Sequence, residues 1–146
     1  PNDSPVNTYI VYPKDNKTPE KAIVFLADIF GIYINAQLLA DEFANNGYLT
    51  LIPDLFQGDQ ISLSAMESGK VDLPAWLPNH QASNVEPVVE STIKYARETL
   101  GVKKIGAVGY CFGGKVCTCS LDLKIQTPKR YPASPDANNV ALVRLP

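Results

Sequence analysis

Four short runs of apolar and β-branched residues alternate with amphipathic or polar stretches along this chain. Continuous apolar runs of five or six residues are typical of strands covered on both faces, as in a parallel sheet. The first run is instead rich in β-branched and aromatic residues, which also favour strands. The predicted strands are residues 6–11, 22–27, 48–52 and 105–109.

Residues 35–46 repeat apolar side chains at helical spacing and predict the first helix. Asn35 is expected to cap this helix, and Gly47 stands where a helix stop belongs. The apolar side chains expected on its core-facing side are Leu38, Leu39, Phe43 and Ala44.

A second helix is predicted over residues 84–100, with Pro87 in its first turn and Gly101 at its end. Its core-facing positions are expected to be Val85, Val88, Val89, Thr92, Ile93, Ala96 and Leu100. Residues 57–78 contain Gly, Ser and Pro with weak periodicity, so we expect an excursion above the sheet there.

The alternation of strands and helices predicts an α/β fold, a mostly parallel sheet flanked by helices with right-handed crossovers. The pattern is lost after about Val116, and residues 121–146 contain four prolines and no glycine. We therefore expect a domain over residues 1–120 and an irregular tail over residues 121–146.

The composition excludes several classes of protein. The formal net charge is −2 and only pairs of basic residues occur, which argues against a nucleic-acid partner. Since no apolar run approaches the roughly 18 residues of a membrane span, no membrane partner is expected. The three cysteines do not make a disulfide framework, and no leader pattern precedes the first strand, so a cytoplasmic location is expected.

The segment Gly109-Tyr110-Cys111-Phe112-Gly113-Gly114 lies between a predicted strand and a predicted helix. This is the pattern of a nucleophile elbow, Gly-x-nucleophile-x-Gly, with Cys in place of Ser. The glycines let the strand and helix approach closely, the Phe112 N–H is aimed at an oxyanion, and the helix start favours a thiolate. The alternative interpretation is a buried, inert cysteine in a tight turn.

The chain resembles the dienelactone hydrolase family over roughly residues 8–116. The resemblance rests on ordered motifs: Asp28-Ile29-Phe30-Gly31, Ala40-Asp41, Gly47-Tyr48, Pro53-Asp54-Leu55-Phe56, Gly58-Asp59 and the elbow. Trp76-Leu77-Pro78-Asn79-His80 is similar to the family's fungal branch. The resemblance implies an α/β-hydrolase that cleaves a small ester or lactone without a metal or organic cofactor.

The resemblance also implies site residues. Cys111 matches the nucleophile of a Cys–His–Asp triad, and the Ile29 and Phe112 amides match the two oxyanion donors. Many relatives have a Glu that contacts the thiol where this chain has Asp28, one methylene shorter. Asp28 either assists the thiol or bonds nearby backbone N–H groups. The family binds dienelactone-type anions with basic residues, and no such residues are matched here.

The family's triad Asp and His lie well downstream of the nucleophile. After Cys111 this sequence has only Asp122 and Asp136 and no histidine, so we expect it to be truncated or divergent there. Such a chain would be an impaired hydrolase, or alternatively an inactive remnant or a ligand- or partner-binding protein. The only histidine, His80, is expected to be a surface or packing residue, and strand 105–109 an exposed sheet edge.

Other groups of residues indicate a function less strongly than the elbow does. Cys111, Cys117 and Cys119 lack the pairing and the fourth ligand of a zinc site, so no metal is expected. No complete phosphate-binding glycine motif occurs, which makes nucleotide binding a weak alternative. Aromatic residues that could line a pocket, but that more often belong to a core, are Tyr33, Tyr48 and Trp76.

Overall fold

A computed structural model of the chain describes residues 6–119 and 140–145. Its strands are β1 (Thr8–Val11), β2 (Lys21–Leu26), β3 (Leu49–Pro53), β4 (Lys104–Tyr110) and β5 (Val140–Leu145). Its α-helices are α1 (Ile34–Asn45), α2 (Leu63–Glu67), α3 (Leu73–Trp76), α4 (Ala82–Glu98) and α5 (Phe112–Cys119). A 3₁₀ helix, Leu77–His80, follows α3 directly.

The described strands form one mixed sheet in the order β1-β3-β2-β4-β5. The three inner strands are parallel, with Leu26 opposite Gly109 at the end of the β2–β4 pairing. The two outer strands are antiparallel to their neighbours. The predicted α/β fold with a mostly parallel sheet is confirmed, and the carboxyl ends of β2 and β4 meet at one edge.

The sheet has a hydrophobic core on each face because neighbouring strand residues point to opposite sides. On one face, Leu26 and Leu51 pack with Val89 of α4. On the other face, Phe25 and Ile52 pack with residues of α1. Both faces are therefore covered, as the continuous apolar runs indicated.

The predicted core face of α1 is partly wrong. The buried residues of α1 are Ala36, Ala40 and Ala44, whereas Leu38 and Leu39 are 58% and 42% exposed. Small side chains spaced four residues apart lie on one helix face and let the helix approach the sheet closely. The helix also begins at Ile34, and no side-chain cap is formed, so the predicted Asn35 cap is wrong.

Helix α4 begins at Ala82, two residues before its predicted start, and this moves Pro87 to the sixth helical position. The predicted place of Pro87 in the first turn is therefore wrong. At the sixth position its missing N–H leaves the Ser83 carbonyl without its usual donor four residues later in the helix. The helix ends before Gly101, which has a φ of +71° as a helix stop requires. Buried positions of α4 are Val85, Val88, Val89, Thr92 and Ala96.

Strand β4 is not an edge strand, so that prediction is wrong. Strand β5 pairs with it in antiparallel register from Ile105 opposite Leu145 to Tyr110 opposite Val140. This pairing supplies partners for backbone groups that an edge would leave open. The strand lies within the predicted irregular tail, of which residues 121–139 and 146 are outside the described residues.

Candidate functional site

Cys111 stands in the tight turn between β4 and α5, at the carboxyl edge of the sheet. Its φ is +51°, in a region that non-glycine residues rarely occupy and that marks functional turns. Its side chain is exposed, so the alternative of a buried, inert cysteine does not describe it. The structure therefore places this strained, accessible thiol where the elbow pattern indicated.

The elbow glycines allow a close approach between three backbone segments. A Cβ on Gly109 would collide with the Gly113 carbonyl, and a Cβ on Gly113 would collide with the carbonyls of Leu26 and Ala27. Gly114 lies one residue further into α5. Helix α5 can therefore pack closely on β2 and β4 only because Gly109 and Gly113 have no side chain.

The loop after β2 is attached to the elbow. The Gly113 N–H donates to the Ala27 carbonyl over 3.1 Å, and the Ile61 N–H donates to the Ile29 carbonyl over 2.9 Å. Among the described residues, neither the Ile29 N–H nor the Phe112 N–H has a protein acceptor. Two main-chain donors, one in the elbow and one in the loop attached to it, are therefore not engaged by the described residues.

Asp28 has both carboxylate oxygens engaged within its own loop. Oδ1 accepts from the Phe30 N–H and Oδ2 accepts from the Tyr33 hydroxyl, each over 2.9 Å. The Gly31 N–H closes the turn onto the Asp28 carbonyl over 3.0 Å. These contacts match the loop-bonding interpretation of Asp28, and they stabilise the turn that carries Ile29.

Tyr33 was not predicted to bond Asp28. Its hydroxyl donates to that carboxylate, and desolvation together with this hydrogen bond and the nearby negative charge raises the pKa of Tyr33 to about 12. Sequence reasoning offered Tyr33 only as a pocket or core aromatic. The five-residue spacing around a turn could have suggested the contact, but only the folded loop brings the two groups together.

Four rings pack together beside the elbow, and we call them the aromatic wall: Phe56, Trp76, His80 and Phe112. The Phe112 ring lies 5.1 Å from that of Phe56 and 6.0 Å from that of Trp76, centroid to centroid. His80 stacks on Trp76 at 3.9 Å. The wall thus supports the residue whose N–H is the predicted oxyanion donor.

His80 is a packing residue in this structure. It is 8% exposed, its Nδ1 lies 3.0 Å from the Trp76 carbonyl, and its Nε2 lies 3.4 Å from an Asp59 carboxylate oxygen. Both ring nitrogens of His80 therefore contact residues of the excursion over positions 57–78. This agrees with the packing interpretation of the sequence and gives Asp59 a contact that the sequence did not reveal.

Two hollows adjoin the aromatic wall. The first, about 730 Å³, lies between β1, the end of β3 and α4, and its lining includes Asp54 and His80 but not Cys111. The second, about 470 Å³, is lined by Ile61 and Trp76 among others, and we call it the Trp76 cleft. Trp76 is therefore a pocket residue, while Tyr48 is 38% exposed and belongs to neither hollow.

Within the described residues there is neither a candidate metal cluster nor a helix that could span a membrane. No cluster of three or more His, Cys, Asp or Glu side chains there could hold a metal ion. Cys117 is fully buried in α5, and the Cys119 side chain lies outside the described part. None of the helices in the described ranges has both the length and the apolar character needed to span a bilayer.

Residues 6–128 match the dienelactone hydrolase family. The chain belongs to this family. The match extends beyond position 116, where the sequence motifs ended. The hydrolase pyvD of Aspergillus violaceofuscus is 46% identical over 114 residues, and the hydrolase tropI of Talaromyces stipitatus is 42% identical over 119 residues.

These matches cover 77% and 75% of this chain but only 44% and 46% of the two relatives. This dienelactone hydrolase family chain therefore spans less than half the length of the curated relatives it matches. The ferulic-acid complex of Est1E from Butyrivibrio proteoclasticus has a TM-score of 0.61 and 16% identity, and the match covers 82% of this chain and 44% of that one. That likeness shows the fold.

Proposed function

We propose that this chain carries the nucleophile and oxyanion site of a carboxylic-ester or lactone hydrolase, with Cys111 as the nucleophile. The observation that carries the proposal is the elbow. An exposed thiol at a φ of +51° stands between a central strand and a helix start. The family supplies the reaction class, hydrolysis, and the elbow supplies the attacking atom.

In the proposed reaction the Cys111 thiolate forms a bond to the ester carbonyl carbon. The carbonyl oxygen becomes an oxyanion that accepts hydrogen bonds from the Ile29 and Phe112 N–H groups. Collapse of this intermediate breaks the C–O bond and leaves a thioester on Cys111. The alkoxide takes a proton from water, which balances the proton that the thiol released to water when the thiolate formed. The Phe112 N–H and the positive end of the α5 dipole favour negative charge at this position.

Asp28 has two proposed roles that make different predictions. In the first it assists the Cys111 thiol directly. In the second it holds the Ile29 turn through Phe30 and Tyr33, and the observed hydrogen bonds support this role. Asp28→Asn keeps an acceptor for the Phe30 N–H but removes the charge, so a large loss of Cys111 acylation would favour the first role.

Hydrolysis of the thioester is proposed to be slow in this 146-residue chain. A base must activate water for that step, and general acid–base catalysis contributes about 100- to 10,000-fold. The sequence has no histidine after Cys111, and both ring nitrogens of His80 contact other groups. The chain is therefore expected to be acylated and then to turn over slowly.

The test is acylation by p-nitrophenyl acetate, followed by intact-mass measurement. We expect one acetyl group on Cys111, slow release of that group, and no labelling in Cys111→Ala. Cys117→Ala is the matched control, because it removes a thiol that is 0% exposed and should leave labelling unchanged. A folded wild-type sample that stays unlabelled would contradict the nucleophile and favour a ligand- or partner-binding remnant.

A further inference from the structure

Two residues that line the Trp76 cleft contact the residues of the predicted oxyanion donors, although neither donor residue nor Cys111 lines the cleft itself. Ile61, which lines the cleft, donates its N–H to the Ile29 carbonyl over 2.9 Å. The Trp76 ring, which also lines it, packs against the Phe112 ring at 6.0 Å. A group bound in the cleft would therefore be separated from the residues proposed to bind the reacting carbonyl by one layer of side chains, Ile61 and Trp76.

Most of the residues that line the cleft are apolar, and its charged lining residues are acidic. The apolar side chains that line it are Ile61, Ala65, Val71, Ala75 and Trp76. The charged residues among its described lining are Asp59 and Asp72, with no Lys or Arg. Apolar substrate surface is favoured there at about 25 cal/mol per Å² buried, whereas an anion would face like charge.

Each of the two acidic side chains has a polar contact beside the cleft. Asp59 lies 3.4 Å from His80 Nε2, and its backbone carbonyl accepts the Trp76 Nε1–H over 2.7 Å. Asp72 caps α3 by accepting the Ala75 N–H over 3.0 Å. The two negative charges therefore belong to the lining of the cleft, and the Asp59 side chain is 69% exposed to solvent.

We propose that the Trp76 cleft selects the uncharged apolar or aromatic portion of a substrate and disfavours substrates that carry a carboxylate there. The inference deepens the proposed function, since it assigns a substrate class to the same site. It departs from the dienelactone-type anions that the family resemblance implied. The proposed preference differs from that of the family because the lining of this cleft combines apolar side chains with two carboxylates.

Binding can be measured without any reaction at Cys111. Trp76 is the only tryptophan of the sequence, so its fluorescence reports on ligands that bind near its ring. In Cys111→Ala, phenylacetamide and phenylacetate are titrated as a neutral and an anionic ligand of nearly equal size. We expect phenylacetamide to bind at least about fivefold more tightly at low salt, and the ratio to shrink in 1 M salt.

Neutralising the two acidic residues of the cleft tests the effect of their charge, and neutralising an acidic residue outside the cleft is the control. Asp59→Asn with Asp72→Asn should reduce the ratio to less than about twofold, since Asn still caps a helix without carrying charge. Asp15→Asn removes an equal charge from an exposed turn outside the cleft and should leave the ratio unchanged.

Equal or tighter binding of phenylacetate, or no fluorescence change with either ligand, would overturn the inference. Failure of the proposed function has a separate signature, namely loss of acyl labelling on Cys111 in the wild-type chain. The two outcomes are therefore distinguishable.

Discussion

Gly113→Ala tests the close approach on which the site depends. Ala is the better helix former by about 1 kcal/mol, so propensity alone predicts that this change at the second residue of α5 stabilises the protein. The structure predicts the reverse. The new Cβ would collide with the backbone carbonyls of Leu26 and Ala27, which cannot rotate away as a side chain can.

The magnitudes decide between the two effects. Overpacking costs about 1–3 kcal/mol, and separation of the helix from β2 also removes the 3.1 Å hydrogen bond from the Gly113 N–H to Ala27, worth about 1 kcal/mol. The cost, about 2–4 kcal/mol, exceeds the gain of about 1 kcal/mol in helix propensity and leaves a net loss of about 1–3 kcal/mol. It is also a large part of the roughly 5–15 kcal/mol by which domains are stable.

Two measurements check this reasoning. Urea unfolding should show the loss of stability, and acylation of Cys111 should slow at least about tenfold, because the Ile29 loop is displaced from the elbow. Gly47→Ala is the matched control: a Cβ there meets nothing within 4 Å, and its φ of +90° brings only backbone strain. Its acylation rate should stay unchanged.

The reasoning would be refuted by a Gly113→Ala protein that is as stable as the wild type and is acylated at the same rate. A Gly113→Ala protein that is less stable but is acylated at the wild-type rate would refute only the predicted effect on acylation. In that case the hydrogen bond between the two loops would stabilise the fold without positioning the oxyanion donors.

Two further predictions concern stability. Leu51→Ala, at a fully buried position, should lower the free energy of unfolding by about 2–5 kcal/mol in urea denaturation, whereas Leu38→Ala, at 58% exposure, should change it by less than about 0.5 kcal/mol. The pKa of Tyr33, raised to about 12 by burial and by Asp28, means that its contribution to stability is present below about pH 10 and lost between about pH 10 and 12. Tyr33→Phe should lose that pH dependence in urea midpoints, and the exposed Tyr12→Phe should keep it.

The central elements of the fold could be predicted from the sequence because their signals are local. Three of the predicted strands, 22–27, 48–52 and 105–109, overlap the inner strands of the sheet closely. The elbow was likewise predictable, since its glycines and Cys111 are consecutive residues whose spacing reflects one turn. Family motifs added the reaction class, which periodicity and composition could not supply.

The faces of α1 could not be predicted in the same way. Leu38 and Leu39 are the more hydrophobic side chains, yet the helix buries Ala36, Ala40 and Ala44. Helical spacing is compatible with either stripe. The distance between helix and sheet decides which one is buried, and that distance is a property of the packed structure rather than of the helix.

The sequence by itself determined the order of the elements, the turn that presents Cys111 and the family to which the chain belongs. Tertiary structure decided which groups from distant segments meet: Ile61 with Ile29, Trp76 with Phe112, and His80 with Asp59. The physical reason is that a turn is specified by neighbouring residues, whereas contacts across a cleft depend on how separate segments pack. The proposed substrate preference belongs to the second kind, because it depends on the cleft rather than on any motif.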